Sequence, residues 1–506
     1  MAWRGPFIEQ LRRPLVAPVF LFESHQFVES TSGVFAGAKD PMALSSARIP
    51  GFHSRVCIEL EGCSIVHPTL TPGAWNRSYG SLTIGVTPGV DVRRLCARGQ
   101  AVTLSMGFSG WRRPHFETIW LGFVRGISNR AGQWQIECID APGGLQNRFS
   151  DQQDEQNLFY NLGHTTLSAD YEVGVDTTID VTASSSWEYG DDDGYLLYIT
   201  PTTGDPYYVG ADTLTVLTFG TLNETPRFDT TPVDAVSGDR VDTIAYLVAH
   251  PIHIAARILA SSGTASLNGV YDVYPASWGY GISRGHLDEN DASWFASLTG
   301  GTNLTWQVLV DDPQSDAMGW LQGVLQQGGF FVSVHQGALT VRAVGTTETD
   351  ITPGMVTLDH DQIASLDYET WDSESPIEYR TSKAVGASTS ETTATVSDAT
   401  LSTRPSKANR RRDLLHVWDL DTGAWTAEVS ARLAVWDTTV PERMTIRTSN
   451  WAAAVASVGD YVAVTTTLVD RRSGADFLST RGLMIGGGPD WFRGGCSIDV
   501  LFPGED

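Results

Sequence analysis

An internal repeat constrains this chain more than any other feature: residues 82–142 recur, rewritten, in the last stretch of the sequence. The first copy reads Leu82-Thr83-Ile84, then Gly99-Gln100-Ala101-Val102-Thr103-Leu104, then Leu121-Gly122-Phe123-Val124-Arg125-Gly126, then Gln135-Ile136-Glu137-Cys138-Ile139 and Pro142. The second reads Met444-Thr445-Ile446, Gly459-Asp460-Tyr461-Val462-Ala463-Val464, Arg481-Gly482-Leu483-Met484-Ile485-Gly486, Ser497-Ile498-Asp499-Val500-Leu501 and Pro503, at an offset that stays between 360 and 362. Apolar runs of strand length bracketed by glycine predict β-structure in both copies. The expectation is a mainly β chain with two similar β-domains at its ends, each closed as a small barrel or sandwich, and an additional β-rich domain and a small α+β domain between them. Two equivalent modules per chain let a small oligomer imitate a larger ring.

At 506 residues the chain is long enough for several cored domains, and a hydrophobic fraction of 41% is that of a globular protein. The formal charge is −25, from 34 basic and 59 acidic residues. Proteins that grip nucleic acid recruit lysine and arginine, so specific nucleic-acid binding is not expected; a wall past which nucleic acid slides is compatible with the charge, as is mere solubility. The five cysteines (Cys57, Cys63, Cys96, Cys138, Cys496) form no CxxC pair and predict buried free thiols. The apolar stretch from Leu15 to Phe22 is short, with Pro14 just before it and Pro18 inside it, so neither a transmembrane helix nor a signal peptide is expected, and maturation in a cytoplasm is.

Four domains are expected. Residues 1–150 form a first β-barrel with an N-terminal extension, built from strands near Arg55–Glu61, Ser81–Val86, Ala101–Met106, Thr118–Val124 and Trp134–Ile139. Residues 151–240 hold 17 acidic residues against Arg227 and Arg240 and no lysine, and read as an acidic β-rich insertion or domain with strands at Thr177–Thr182, Tyr195–Thr200 and Thr213–Phe219. Residues 241–350 form an α+β domain. Its first helix starts at Pro251 and carries Ile252, Ala255, Ala256 and Leu259 at helical spacing, with Gly263 as its stop. Its second follows Ser315 as N-cap and buries Met318, Leu321 and Leu325; then Phe330–Val334 pairs with Ala338–Val344 across His335-Gln336-Gly337. Residues 351–506 form a second β-barrel, interrupted by a polar loop or extended hairpin at 387–405 and by the basic run Arg410-Arg411-Arg412, read as a solvated or acid-paired face.

The search for chemistry is empty-handed. Eleven histidines give no zinc pattern. His250 and His253 flank a helix start, and His360 between Asp359 and Asp361 lacks further ligands. Asp191-Asp192-Asp193-Gly194 resembles part of a calcium loop without its later bidentate carboxylate. A glycoside hydrolase needs two carboxylates across a cleft lined by aromatics, and no pair is singled out. Trp278-Gly279-Tyr280-Gly281 reads as a sugar-stacking platform or as a turn pinned by two aromatics. No residue is nominated as catalytic, cofactor-binding or metal-ligating; no cofactor and no enzymatic activity are expected.

The chain resembles the tail-hub, or baseplate-hub, proteins of tailed bacteriophages. The resemblance rests on the first module from Gly122 to Gly126 and Gly132 to Asp140, on Ala317–Val344, and on the last module with Gly459–Val464 and Gly482–Gly486; His250–Tyr280 also looks like a hub segment. It implies two similar β-barrel domains at the chain ends and a homotrimer whose six barrels ring the end of a sixfold tail tube, while other domains meet a threefold tip fibre or spike. It further implies distal-tail or tail-tube proteins and the tape measure protein as partners, a DNA exit channel lined by the ring, and residence at the virion tail tip after assembly in the host cytoplasm. The 151–240 block matches no common hub core. The turn Trp111–Pro114 and its counterpart Asp470–Gly474 are expected as equivalent interface loops. Alternatives are a distal-tail or fibre-attachment protein, which usually has one barrel, and a glycan-binding or glycoside-hydrolase tail protein.

Overall fold

A computed structural model describes residues 3–13, 17–24, 42–145, 161–182, 195–219, 233–249, 251–260, 282, 306–310, 317–344, 356–370, 378–384, 390–397, 411–416, 419–420, 425–427, 436 and 441–504, apart from 73–74, 94, 131, 173–174, 177–178, 206, 212–213 and 216–217. The chain is mainly β. Among the described residues no helix is long and apolar enough to cross a membrane.

The first repeat lies in an eight-stranded sheet. Its strands are β1 (Pro18–Ser24), β2 (Ala43–Ser45), β3 (Arg55–Val56), β4 (Ser64–Val66), β7 (Ser81–Val86), β8 (Ala101–Phe108), β9 (Glu117–Arg130) and β10 (Gln133–Asp140), in the order β3-β2-β1-β8-β9-β10-β7-β4; a small hairpin of β5 (Leu70–Thr71) and β6 (Asn76–Arg77) stands apart. Successive side chains of a strand point to opposite faces. In β1 this sends Phe20 and Phe22 into the main core and Val19 and Leu21 into a small cluster with Ile49 and Phe116. The sheet curls round on itself: Cys57 and Ile58 donate their N–H groups to the Ser45 carbonyl of β2 at 2.9 and 3.0 Å, while Thr87 N–H reaches the Cys57 carbonyl and Glu59 N–H the Gly85 carbonyl, both at 2.9 Å.

The middle of the chain supplies β11 (Asn161–Thr166), β12 (Tyr195–Thr200), β13 (Tyr207–Ala211), β14 (Leu214–Thr215), β15 (Thr218–Phe219), β16 (Arg240–Ala249), β17 (Trp306–Val310), β18 (Phe330–His335) and β19 (Ala338–Ala343). The second repeat lies in a six-stranded sheet of β20 (Val356–Leu358), β21 (Ile363–Thr370), β26 (Glu442–Thr448), β27 (Tyr461–Asp470), β28 (Asp476–Pro489) and β29 (Cys496–Phe502), in the order β20-β27-β28-β29-β26-β21; β22 (Glu378–Ala384), β23 (Ser390–Ser397), β24 (Arg411–His416) and β25 (Asp419–Leu420) fall between β21 and β26 in sequence. Its edge strands β20 and β21 are consecutive, joined by a 3-10 turn, His360–Gln362.

The four strands β7-β10-β9-β8 and β26-β29-β28-β27 are superposable in register. Ile136 faces Ile84 and Cys138 faces Leu82 in the first, as Ile498 faces Ile446 and Val500 faces Met444 in the second. Ala101 faces Phe123 as Tyr461 faces Leu483. The pairing slips just after Leu104 and just after Val464, and again between Glu137 and Cys138 and between Met484 and Gly486. The turn before the second strand matches atom for atom. Gly99 N–H donates to the Val124 carbonyl at 2.7 Å and Gly459 N–H to the Met484 carbonyl at 2.9 Å. The Gln100 side chain accepts from Ala97 N–H as the Asp460 side chain accepts from Ser457 N–H, at 3.0 and 2.8 Å.

The expectation of two similar β-barrels at the chain ends needs correction. The likeness stops at these four strands; the flanking strands differ, the sheets have eight and six members, and two symmetric barrels are not formed. The first sheet curls through residues before its repeated stretch (β1, β2 and residues 55–59), and the edges of the second come from 356–370; there the two copies share no sequence. Nor do the ends keep separate interiors. One buried cluster holds Phe20, Leu104 and Ile136 together with Met444, Val464, Trp491 and Phe502.

Between the repeats, Arg240–Ala249 is the central strand of another sheet, pairing with Asn161–Thr166, Tyr195–Thr200 and Trp306–Val310. Tyr195–Thr200 forms as expected; of Thr213–Phe219 the described residues pair as Leu214–Thr215 with Thr218–Phe219, and of Thr177–Thr182 the described residues 179–182 include a bridge from Val181 to Leu167. The helix Pro251–Ala260 buries Ile254, Ala255, Ile258 and Leu259; the side chains of Ile252 and Ala256, its Gly263 stop and the Ser315 cap lie outside the described residues. The helix Ala317–Gln326 buries Met318, Leu321 and Leu325. Phe330–His335 and Ala338–Ala343 form a hairpin through Gln336 and Gly337, both with positive φ, the conformation of a two-residue turn that follows strand twist. Within 387–405, Ser390–Ser397 pairs with Glu378–Ala384 as an extended hairpin. The strand Arg411–His416 runs parallel to Glu378–Ala384 in backbone register; the side chains of Arg411 and Arg412, and the whole of Arg410, lie outside the described residues.

Candidate functional site

The two repeats meet along a seam that the first residues of the chain close. Trp3 stacks edge-on against Phe7 (5.2 Å between centroids) and against Trp491 (5.9 Å), whose other neighbour is Trp451 at 5.8 Å. Phe7 covers Phe108 of the first repeat at 5.7 Å. The Trp3 indole N–H donates to the Thr118 carbonyl at 2.9 Å, and Gln336 Oε1 accepts from the Trp3 backbone N–H at 2.8 Å. Arg4 pairs with Glu117. A short helix, Gly5–Leu11, follows, with Phe7 and Leu11 buried. One segment thus holds both repeats and the middle hairpin; Trp and Phe rings supply large buried area with edge-to-face contacts.

Further along the seam, Phe20 packs on Phe492 (5.1 Å) and Thr69 bridges to Gly486. His67 donates from Nε2 to the Pro489 carbonyl at 2.9 Å, so its neutral form is the Nε2–H tautomer. A Cβ on Gly488 would stand 2.6 Å from that imidazole, so only glycine permits the approach. A cavity of about 90 Å³ lies here, lined by Trp3, His67, Arg77, Asp140, Gly488 and Trp491 among others. Arg77 and Asp140 are a buried pair, 2.7 Å apart and 1% and 6% exposed.

Burial pushes the His67 imidazole below its usual range, opposed by the Pro489 carbonyl and by Asp490. The folded protein holds the neutral ring, so the stability it contributes is present above the unfolded value near 6.5 and is lost as pH falls from there toward the lowered folded value. The denaturation midpoint of the native chain is expected to fall between about pH 7.5 and about pH 5 more than that of His67→Gln, which lacks the titrating ring. Equal pH slopes in the two proteins would remove His67 as the acid-sensitive group.

The expected interface turns do occupy equivalent places, one joining β8 to β9 and the other β27 to β28. Their surroundings differ. Trp111 packs edge-on against Phe108 at 5.0 Å, Arg113 pairs with Glu23 at 2.6 Å, and the Trp3–Leu11 segment covers that end. In the second repeat Arg471 is drawn inward to Glu442 (2.9 Å) and the Pro503 carbonyl (2.6 Å), while Leu468 and Leu478 stand 55% and 67% exposed.

Asp359, His360 and Asp361 sit exposed on the turn between β20 and β21. Asp191–Gly194, Trp278–Gly281 and His250 lie outside the described residues, as does the side chain of His253. Among the described residues no group of three or more His, Cys, Asp or Glu could hold a metal ion. All five cysteines are buried and free; burial pushes Cys63 up to about 11 and Cys496 to about 12. Reading the sequence missed Trp3, His67 and Trp491. One signal was available: Trp451 and Trp491 have no aromatic counterparts at Val90 and Arg130, so the two copies cannot present the same face.

No protein-family model and no curated protein matches the chain. Among solved structures it is similar to the tail protein from Neisseria meningitidis MC58, with 10% identity, a TM-score of 0.40 and 97% of each chain covered. It is also similar to the 43 kDa tail protein of prophage MuSo2 from Shewanella oneidensis (10% identity, TM-score 0.36, 96% of this chain and 99% of that one). A third likeness is to prophage tail protein gp18 from Listeria monocytogenes EGD-e (8% identity, TM-score 0.36, 95% and 94%).

Proposed function

We propose that this chain is a structural protein of a phage-type tail, a trimeric hub at the tail tip that joins a sixfold tube to a threefold fibre or spike and lines the DNA exit channel. The observation that carries this reading is the duplication: two four-stranded units of the same order, register and bulges in one chain. Three such chains offer six equivalent units, which is what a threefold body needs to meet a sixfold one. A formal charge of −25 suits a channel wall that DNA passes without adhering. Its partners on this reading are two further copies of itself, distal-tail or tail-tube proteins, the tip fibre or spike and the tape measure protein, and its place is the virion tail tip. Sedimentation mass combined with negative-stain images tests it. The expected result is a trimer with a threefold outline and a roughly sixfold face; a monomer that cleaves polysaccharide would overturn it.

A further inference from the structure

The two repeats are alike in backbone and unlike in what covers them. In the first, Phe108 lies beneath Phe7 and the Thr118 carbonyl beneath Trp3. The residues 360 positions on are Leu468 and Leu478, and the register confirms the equivalence, since Met106 faces Glu117 as Thr466 faces Phe477. Both leucines are exposed. Around them stand exposed carboxylates: Asp470 and Asp476 on the same hairpin, and Asp359 and Asp361 on the turn that β20, running parallel to β27, delivers to that end; Arg472 is an exposed cation there. An apolar centre with a charged rim is the anatomy of a protein interface.

The opposite sign gathers at another end of the first repeat. Gly99 N–H bonds to the Val124 carbonyl, which sets Arg98 beside Arg125, and Arg130 stands at the tip of the β9–β10 hairpin. All three arginines are exposed. Leu95, Ile127 and Trp134 lie half-buried among them, with Arg93 over the Trp134 ring at 5.0 Å. Nearby carboxylates are engaged, Asp91 by Arg93 and Glu59 by Gln133, leaving Glu61 exposed.

The joint inside the chain shows how such ends meet. There the β28–β29 turn of the second repeat, with Trp491 and Phe492, seats on the first repeat beside its covered hairpin end. The equivalent turn of the first repeat is the arginine-bearing β9–β10 turn, and the equivalent receiving end of the second is the uncovered one. We infer that the Leu468/Leu478 end of one molecule docks the Arg98/Arg125/Arg130 end of a second copy of this chain, repeating the internal joint head to tail. Head-to-tail contacts close into rings, and complementary charge steers and orients them. The inference rests on the trimeric reading above and adds the surfaces that make the ring.

Sedimentation of the full chain at low and high salt tests it, using R98E/R125E/R130E, D470K/D476K and the combination of all five changes. Each set alone is expected to weaken self-association by about ten-fold or more, and the combination to recover most of the loss, since like charges repel and swapped pairs attract. Raising salt is expected to weaken the native assembly as well. Because the native thiols are buried, a dye on Leu468→Cys reports this end alone, and its signal should turn solvent-shielded as association proceeds. A trimer indifferent to both charge reversals, with a solvent-exposed dye, overturns this docking and leaves the hub reading standing. A chain that stays monomeric at every concentration and salt removes both.

Discussion

Asp140→Ala is expected to cost about 3–5 kcal/mol of folding stability, the penalty for stranding a buried charge whose partner has been removed. Asp140 Oδ2 accepts from Arg77 Nη2 at 2.7 Å and from Gly80 N–H at 2.9 Å, and Oδ1 accepts from Gly143 N–H at 3.2 Å. Arg77 has little else among the described residues, where its Nε and Nη1 find no hydrogen-bond partner. Without Asp140 the guanidinium is left charged beside the seam with all its donors in want. A shift in the urea midpoint at unchanged slope measures the loss. Arg77→Met, which removes the charge and fills similar space, should rescue much of the Asp140→Ala defect. A single variant as stable as the native chain would show that water compensates Arg77.

The second large effect separates the repeats. Gly122 and Gly482 are equivalent, facing Val102 and Val462. A Cβ on Gly122 would stand 2.0 Å from the Ile139 carbonyl oxygen, a backbone atom of the neighbouring strand that cannot move without breaking the ladder. A Cβ on Gly482 would meet side-chain atoms, Val500 Cγ1 at 2.4 Å and Phe502 Cδ1 at 2.8 Å, which can rotate aside. Gly122→Ala is therefore expected to cost about 3 kcal/mol or more and Gly482→Ala about 1–2 kcal/mol, the upper and middle range for overpacking. Thermal melts of the two variants decide it. Equal losses would mean that the repeats relax alike.

The pairing of Ile136 with Ile84 and of Ile498 with Ile446 is legible in the sequence, because a shared offset of apolar positions fixes register when one face is buried. The bulges were hinted at too: the offset moves from 362 to 360 and back, and each shift marks an insertion in one copy or the other. Closure was not legible. Residues 57–59, which hydrogen-bond to β2 on one side and β7 on the other, have no sequence likeness to residues 356–370, which follow both edges of the second sheet. The seam was still less so, since Trp3 finds its partners at Thr118, Gln336 and Trp491, and no local pattern announces contacts so far apart in sequence. A glycine-bracketed strand shows where the chain extends; what lies against it is settled by side chains elsewhere.

The hydrogen bond from Trp3 to Gln336 spans 333 residues, and the ring contact from Trp3 to Trp491 spans more. A ribosome delivers these partners in order. At roughly 5–20 residues per second, Trp3 waits on the order of 25–100 s before Trp491 has been synthesised. During that interval the nascent first repeat can pair its strands, but its leading segment has only part of its berth. The seam closes only once Trp491 has been made, so a product truncated before it cannot complete it. The placement of one tryptophan makes the finished joint a record that the chain has been made as far as Trp491.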